Sequence, residues 1–330
     1  MTDSPEALIL DVGHGNCTVI LADGSVCVVD SPVGTTLLEA LLQLGINRVD
    51  TIVLSHADKD HVAGVSILLT CHEIDVHTLY VNSDATKQGP RSPWHKLRVA
   101  IRVAREKGLT VVPTLTSDSS PIAVGTASLE VLAPTPELIL GGAGSTGVGD
   151  KIILTSNSTS AVIRVVYKDK GMFLLPGDLD GTGLDSMIAE GKDATAKTLL
   201  FPHHGGLPGN AYVEDFAFTL CKHVQPELIV FSNSRGRFSH PRPEIVASIR
   251  KVSSAMIACT QLSRECLEVT DEVSDEHLHD LPSHGKKDKS CCAGSIRFCL
   301  DDLLTHDPIA CLLLHKEFVS TYVRSSLCKS

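Results

Sequence analysis

The sequence predicts a layered α/β fold in which two strand-rich halves pack face to face with helices outside them, a four-layer αββα sandwich. Three observations carry that expectation. Short apolar runs of strand length recur in both halves of the 330 residues, stretches of helical spacing alternate with them, and acidic and histidine-bearing segments begin where apolar runs stop.

In the first half, Ala7–Val12 and Cys17–Leu21 flank Gly13-His14-Gly15-Asn16, and Ser25–Asp30 follows Asp23-Gly24, which reads as an antiparallel meander with a glycine-rich turn. Thr35–Leu44 has helical spacing and is closed by Gly45-Ile46. Asp50–Leu54 is a buried β run that stops at Ser55, and the pattern turns helical from Val62. After a strand at Thr78–Val81, a helix is expected within Pro90–Gly108. Ser92 caps it, Pro93 stands at its first position, and Leu97, Ala100, Ile101 and Ala104 form its apolar stripe.

The second half repeats the theme with strands at Ala127–Leu132, Ala161–Val166 and Gly171–Pro176, a helix at Gly183–Glu190, and strands at Thr198–Phe201 and Leu228–Ser232. Gly141–Gly149 reads as a surface loop and Asp271–Ser290 as a polar, mobile insertion. The main domain is expected over residues 1–300, with 301–330 as an extension whose run Ile309–Leu314 packs as a terminal helix.

Composition narrows the function. A formal charge of −10, from 29 Lys and Arg against 39 Asp and Glu, disfavours generic adhesion to nucleic acid or to anionic membrane surfaces, yet leaves a phosphate substrate open. With 4% aromatic residues the core is expected to be aliphatic. Eleven scattered cysteines read as reduced core thiols. Met1–Glu6 carries no basic region, and no run approaches the roughly 18 apolar residues of a membrane helix, so the expectation is a cytoplasmic protein without a membrane partner.

The chemistry concentrates in His56-Ala57-Asp58-Lys59-Asp60-His61. In an extended segment alternate side chains share a face, so His56, Asp58 and Asp60 point into one cleft and His61 follows at the turn. Imidazole and carboxylate suit zinc, manganese or iron, and this spacing serves two neighbouring ions. The competing reading is an acidic loop that begins a helix, with Asp58 or Asp60 as its cap.

The cluster resembles the His-x-His-x-Asp-His loop of the metallo-β-lactamase superfamily, with aspartate at the second position. That variant is similar to the extracytoplasmic hydrolase domain of ComEC-type DNA-uptake competence proteins. Further segments match in order: Leu10–Asn16, Val28-Val29-Asp30-Ser31, Leu174-Leu175-Pro176-Gly177-Asp178, Pro202-His203-His204-Gly205-Gly206 and Ser239-His240-Pro241.

The resemblance implies the metallo-β-lactamase fold and two divalent ions, Zn or Mn. It places His56 and Asp58 on the first ion, Asp60 and His61 on the second, Asp178 between them, and His240 as the last ligand. A histidine expected before the bridging aspartate is missing, so either Asn157 replaces it or the first site is weaker. A metal-bridging hydroxide, with Asp60 at the catalytic centre and His203 or His204 as proton donor, would hydrolyse its substrate. His203 and His204 also admit ligand or structural roles. His14, Asn16, Asp11 and Asp30 read equally as residues that orient the ligands and as ordinary turn chemistry.

Two side features complete the reading. Between Lys87 and Lys107 seven basic residues stand against one acidic, a local net of +6, so Arg98, Arg102 and Arg105 are candidate phosphate contacts or a solvated helix face. Cys259, Cys266, Cys291 and Cys292 with His277, His279 and His284 admit a structural zinc site, although no tight Cys-x-x-Cys pair supports it. The functional expectation is a two-metal phosphodiesterase or nuclease acting on nucleic acid or nucleotides. The alternatives are hydrolysis of a small ester, lactone or thioester, and a metal-binding interaction module with little or no catalysis.

Overall fold

The computed structural model describes residues 4–147, 152–236, 238–266 and 275–328. Its first sheet comprises β1 (Glu6–Ile9), β2 (Thr18–Ala22), β3 (Ser25–Val29), β4 (Arg48–Val53), β5 (Asp75–Tyr80) and β6 (Thr110–Val112). Helices α1 (Thr36–Gln43), α2 (Lys59–Val62), α3 (Val65–Leu68) and α4 (Pro93–Glu106) connect them. The second sheet comprises β7 (Ile122–Val124), β8 (Ala127–Ala133), β9 (Val162–Tyr167), β10 (Lys170–Leu175), β11 (Thr198–Leu200), β12 (Leu228–Phe231) and β13 (Met256–Cys259). With it run α5 (Pro136–Gly141), α6 (Gly181–Ala189), α7 (Val213–Val224) and α8 (Pro243–Val252). The chain then returns to the first sheet as β14 (Ile296–Cys299) and closes with α9 (Leu300–Thr305) and α10 (Leu313–Tyr322).

The sheet orders are β14-β1-β2-β3-β4-β5-β6 and β13-β12-β11-β10-β9-β8-β7. Each sheet is antiparallel in one part and parallel in the other: β14 through β3 and β7 through β10 pair antiparallel, whereas β3 through β6 and β10 through β13 pair parallel. The parallel strands need crossovers, and helices supply them.

The period-2 alternation of the strands divides the core into layers. Ala7, Ile9, Ile20, Val29, Leu129, Ile163, Val165, Phe173 and Leu175 face one another between the sheets. Leu8, Leu10, Val28 and Ile52 face outward onto Leu37 and Leu41 of α1 and Trp94, Leu97 and Ala100 of α4. On the far side, Val162, Leu174, Leu199 and Ile229 pack under Leu184, Phe216, Leu220, Ile245 and Phe318. The fold is the four-layer αββα sandwich.

Helix α4 forms where expected, with the Ser92 hydroxyl accepting the His95 N–H at 3.1 Å. Helix α2 starts at Lys59, earlier than Val62, so Asp60 stands on a helical turn instead of an extended segment, and His61 stands at the turn as expected. Helices α7 and α8 were not among the sequence expectations. The last thirty residues contribute Leu303 and Leu312 to the layer between the sheets and Phe318 and Val319 to the outer one.

The insertion expected at 271–290 behaves differently from expectation: 271–274 lie outside the described residues, but 275–290 is tied down. Leu281 is buried in the core beside α1, and the N–H groups of His284 and Gly285 bond Asp11. Residues 148 and 149 of the expected 141–149 loop also lie outside the described residues. Among the described residues, no helix is long and apolar enough to cross a membrane.

Candidate metal centre

The strand registers bring the ends of β1, β3 and β4 to one edge of the first sheet and those of β10, β11 and β12 to the adjoining edge of the second. The loops that leave them therefore meet in one cleft outside the carboxyl ends of strands, where open α/β sheets place their ligands.

From β4 the chain passes through Leu54 and Ser55 to His56 and Asp58, then turns into α2 with Asp60 and His61. From β10 it turns at Pro176-Gly177 to Asp178. A side chain at Gly177 would collide with Ser55 and Ser160, and its φ of +56° suits glycine, so this residue lets the two sheets' loops close on each other. Gly15 does the same for the β1–β2 loop, since a Cβ there would strike the backbone carbonyl of Asp60.

From β11 the chain enters Pro202–Gly205 with His203 and His204 both left-handed, at φ 53° and 56°. Such backbone is costly for non-glycine residues and is held here by the His203 N–H to the Gly177 carbonyl and the Gly206 N–H to the His203 carbonyl. Its result is that two successive rings reach the same cleft. His204 is wholly buried at the floor, while His203 is one-third exposed at the mouth.

Asp60, His61, Asp178 and His204 bring one donor atom each to within 4.8 Å of one another. His61 Nε2 lies 3.0 Å from Asp178 Oδ1, and His204 Nε2 lies 3.5 Å from Asp178 Oδ1 and 3.6 Å from Asp60 Oδ2. Beside them His56 Nε2 is 3.7 Å from Asp178 Oδ2 and 3.9 Å from Asp58 Oδ2.

The other ring nitrogens point away and are held. His61 Nδ1 is 2.7 Å from Asp30 Oδ2, His204 Nδ1 is 2.8 Å from the Ser232 carbonyl, and His56 Nδ1 is 3.0 Å from the Ser55 hydroxyl. Nε2 of His56, His61 and His204 and Oδ1 of Asp178 are buried without a well-aligned hydrogen bond, the 3.0 Å approach of His61 to Asp178 included. An unsatisfied buried polar atom costs about 1–3 kcal/mol, so four converging on one space need a common partner. Imidazoles held at Nδ1 and bare at Nε2 beside two carboxylates are the donor set of a divalent cation, and the residues present fit one.

The charges of the cluster are strongly coupled. Burial alone would raise the Asp178 carboxyl, but His61, His204 and His56 hold it well below the usual carboxylate range. Asp60 is likewise raised by burial and, more strongly, lowered by His14, His204 and His61. Burial and the neighbouring His61 push His56 down. His61 moves the other way against its burial, because Asp178 and Asp30 flank it. His240 is pushed down to about 4 by burial and by His204, His203 and His14.

A family model for the metallo-beta-lactamase superfamily matches residues 10–232. The chain belongs to this superfamily of metal-dependent hydrolases. ComE operon protein 3 of Bacillus subtilis (strain 168) is 23% identical over 229 residues, which make up 68% of this chain and 25% of that protein. The matched part thus spans about a quarter of that relative's length. Among solved structures, unliganded yeast PDE1 superposes with a TM-score of 0.51 at 10% identity, over 78% of this chain and 98% of that one. YhfI from Bacillus subtilis, a metallo-beta-lactamase fold protein, gives 0.48 at 12% identity, over 77% and 96%. The likeness to yeast PDE1 shows the fold alone.

Within the superfamily's cleft, several residues stand elsewhere than the sequence suggested. His240 is not in the convergent group. Its ring lies 6.2 Å from His14 and 6.0 Å from His203 and stacks on Phe238 at 5.4 Å, and its buried Nδ1, like the Nε2 atoms of the cluster, has no hydrogen-bond partner. His14 reaches the cleft and places Nε2 2.8 Å from Asp60 Oδ2. Asn16 is buried, with Oδ1 lacking a hydrogen-bond partner. Asn157 sits in the turn before β9, where its carbonyl accepts the Ser160 N–H and the Ala161 N–H bonds the Ser55 carbonyl.

Asp30 contacts a cluster residue as described, and its Oδ1 and Oδ2 also accept the Ser55 N–H and hydroxyl at 2.8 and 2.7 Å. Asp11 does not touch the cluster. It accepts the N–H groups of Gly13 and Gly285 and the Gln261 amide, tying the first loop to the C-terminal segment. Arg98, Arg102 and Arg105 are exposed on α4.

The alternative zinc site is not assembled. Cys291 turns to Asp11 at 3.6 Å and His277 stacks on Phe318 at 3.8 Å, and the convergent group above is the only one among the described residues. All eleven cysteines are free.

One contact was not anticipated at all. Lys87 Nζ lies 2.5 Å from Asp58 Oδ1. In the sequence Lys87 is one of seven basic residues between positions 87 and 107, and nothing local marks the distant aspartate it meets.

Proposed function

We propose that this chain is a phosphodiesterase that uses two divalent ions, Zn or Mn, and acts on a nucleic acid or nucleotide. The observation that carries the reading is the convergence of buried, unpartnered donors from both sheets on one space at the strand ends. Asp60, His61, His204 and Asp178 would hold one ion, and His56 and Asp58, sharing Asp178, the other. Bound ions would polarise a phosphoryl oxygen and supply a water nucleophile at neutral pH.

The chain's own residues do the rest. Asp30, Ser55 and the Ser232 carbonyl orient the ligand rings. His203, at the mouth with Nδ1 3.0 Å from the Leu207 carbonyl and Nε2 turned toward Asp178 at 3.9 Å, is placed to give a proton to the departing oxygen. His204 is committed to the floor of the site, so of the two successive histidines His203 is the proton donor. The basic face of α4, whose N-terminal approach begins beside Asp58 at Lys87, gives a polyanion a path away from the cleft. Aspartate at position 58 and the resemblance to ComEC-type hydrolase domains favour phosphodiesters over lactones and thioesters.

The test is incubation of the purified chain, with Mn or Zn, with labelled single- and double-stranded DNA, RNA and cyclic nucleotides. Metal-dependent cleavage of at least one is expected. No turnover of any would sink the phosphodiesterase reading, and turnover of lactone or thioester panels instead would reassign the substrate.

A further inference from the structure

We infer that Lys87 is a built-in cation that weakens the first metal site, so that the centre holds one tightly bound and one loosely bound, exchangeable divalent ion. This rests on the metal-centre reading above. It concerns how the two sites differ.

The two donor sets are unequal. Asp60, His61, Asp178 and His204 converge within 4.8 Å, whereas His56, Asp58 and Asp178 do not form such a group, although His56 lies 3.7 and 3.9 Å from the two carboxylates. The convergent set carries the charges of Asp60 and of the shared Asp178. The second has the shared Asp178 and Asp58, and the Lys87 ammonium 2.5 Å away offsets the charge of Asp58. The corresponding contact at Asp60 comes from the His14 imidazole at 2.8 Å.

Lys87 is not a loose surface chain that happens to swing inward. It ends a short helical turn, Ala85–Lys87, capped by Asp84, whose Oδ1 accepts the Thr86 N–H and hydroxyl at 2.7 and 2.6 Å. Asp84 is 6% exposed and its other oxygen accepts the Ser156 hydroxyl at 2.6 Å, which fixes the turn to the second sheet's loop. The Lys87 carbonyl accepts the Ser92 hydroxyl at 2.7 Å, joining it to the start of α4. The backbone on both sides of Lys87 is anchored, and its ammonium meets Asp58 on Oδ1, leaving Oδ2 toward His56. A positive charge beside a ligand carboxylate opposes a divalent cation by direct Coulomb repulsion, and partial burial limits screening by salt.

The test is metal binding to the chelator-stripped chain, followed by calorimetric titration with Mn(II) or Zn(II) and by metal analysis after dialysis. The wild type should take up one ion at least tenfold more tightly than the second and retain about one after dialysis, an order-of-magnitude expectation from the charge difference. Lys87→Met, which keeps the length of the chain and removes its charge, should tighten the weaker site about tenfold and leave the stronger one unchanged. Lys87→Arg should resemble the wild type.

Two ions of equal affinity in the wild type, or a weaker site that Lys87→Met leaves unchanged or loosens further, would overturn the inference while leaving the metal centre intact. Absence of any metal binding would instead overturn the metal-centre reading on which it stands.

Discussion

Replacing Asp30 by asparagine probes how the buried histidines are held. Asp30 Oδ2 accepts from His61 Nδ1 and from the Ser55 hydroxyl, both at 2.7 Å, and Oδ1 accepts the Ser55 N–H at 2.8 Å. Asparagine has the same shape and tolerates the left-handed backbone at this position, φ 60°, better than most residues, so the loop should keep its path. With its carbonyl kept on the Ser55 N–H, the amide would present N–H groups to His61 Nδ1. The ring must then accept at Nδ1 and carry its proton on Nε2, the atom aimed at Asp178. A flipped amide would instead oppose the Ser55 N–H.

Loss of one such partner typically lowers metal affinity about 10- to 100-fold, equivalent to roughly 1.4–2.7 kcal/mol. Competition with a chromophoric chelator measures it, and thermal melting of the metal-free protein checks that the fold is retained. An affinity within twofold of wild type, with an unchanged melt, would refute the argument that Asp30 fixes the His61 tautomer.

Other consequences follow from the same geometry. His204→Ala should remove the tightly bound ion, whereas His240→Ala should leave metal content unchanged, because His240 lies outside the convergent group; elemental analysis of the two proteins distinguishes them. Gly15→Ala should destabilise the fold by about 2 kcal/mol or more, since its side chain meets the Asp60 carbonyl and its backbone is strained for alanine, and a lowered melting temperature reads this out.

Asp11→Ala strands the N–H groups of Gly13 and Gly285 and the Gln261 amide, at about 1–3 kcal/mol for each buried group left unsatisfied, yet should not alter metal affinity. Burial raises the Asp11 carboxyl above its ordinary 3.8, so its protonated form is favoured in the folded state. Its contribution to stability is therefore complete below 3.8 and declines as pH rises through the folded value. The stability difference between wild type and Asp11→Asn, followed from pH 3 upward, should shift against the wild type as pH rises.

The layered fold was legible because most strands declare themselves. Ala7–Val12 and Gly171–Pro176 are apolar on both faces, as strands buried between a second sheet and a helix layer must be. Helix α7 carries a stripe of Phe216, Leu220 and Val224 with the ordinary spacing of a helix, a signal that is present in the chain. The short β6 and β7, three residues each, offer too few positions for a period to show.

At the site, residues 56–61 and Asp178 stood out by donor type and by their position just after strands. The roles of His204 and His240 were harder to separate, because each lies in the loop that follows a strand, β11 for His204 and β12 for His240. What divides them is the left-handed backbone at His203 and His204, which no local propensity favours and which tertiary contacts with Gly177 and Gly206 impose. Lys87 and Asp58 are far apart in sequence, and their meeting depends on how α4 packs on α2. Asp11 looked like a residue beside the ligands because it adjoins Gly13-His14, but apart from Gly13 its carboxylate meets Gln261 and Gly285, more than 200 positions away.

The most direct measurement is the rate of phosphodiester cleavage by one preparation stripped with chelator and then reloaded with Mn(II) or Zn(II), run beside His204→Ala. The expected result is no cleavage from the stripped chain, recovery on reloading, and no recovery in His204→Ala. A stripped chain as active as the loaded one, or a loaded chain inert toward every phosphodiester offered, would contradict it.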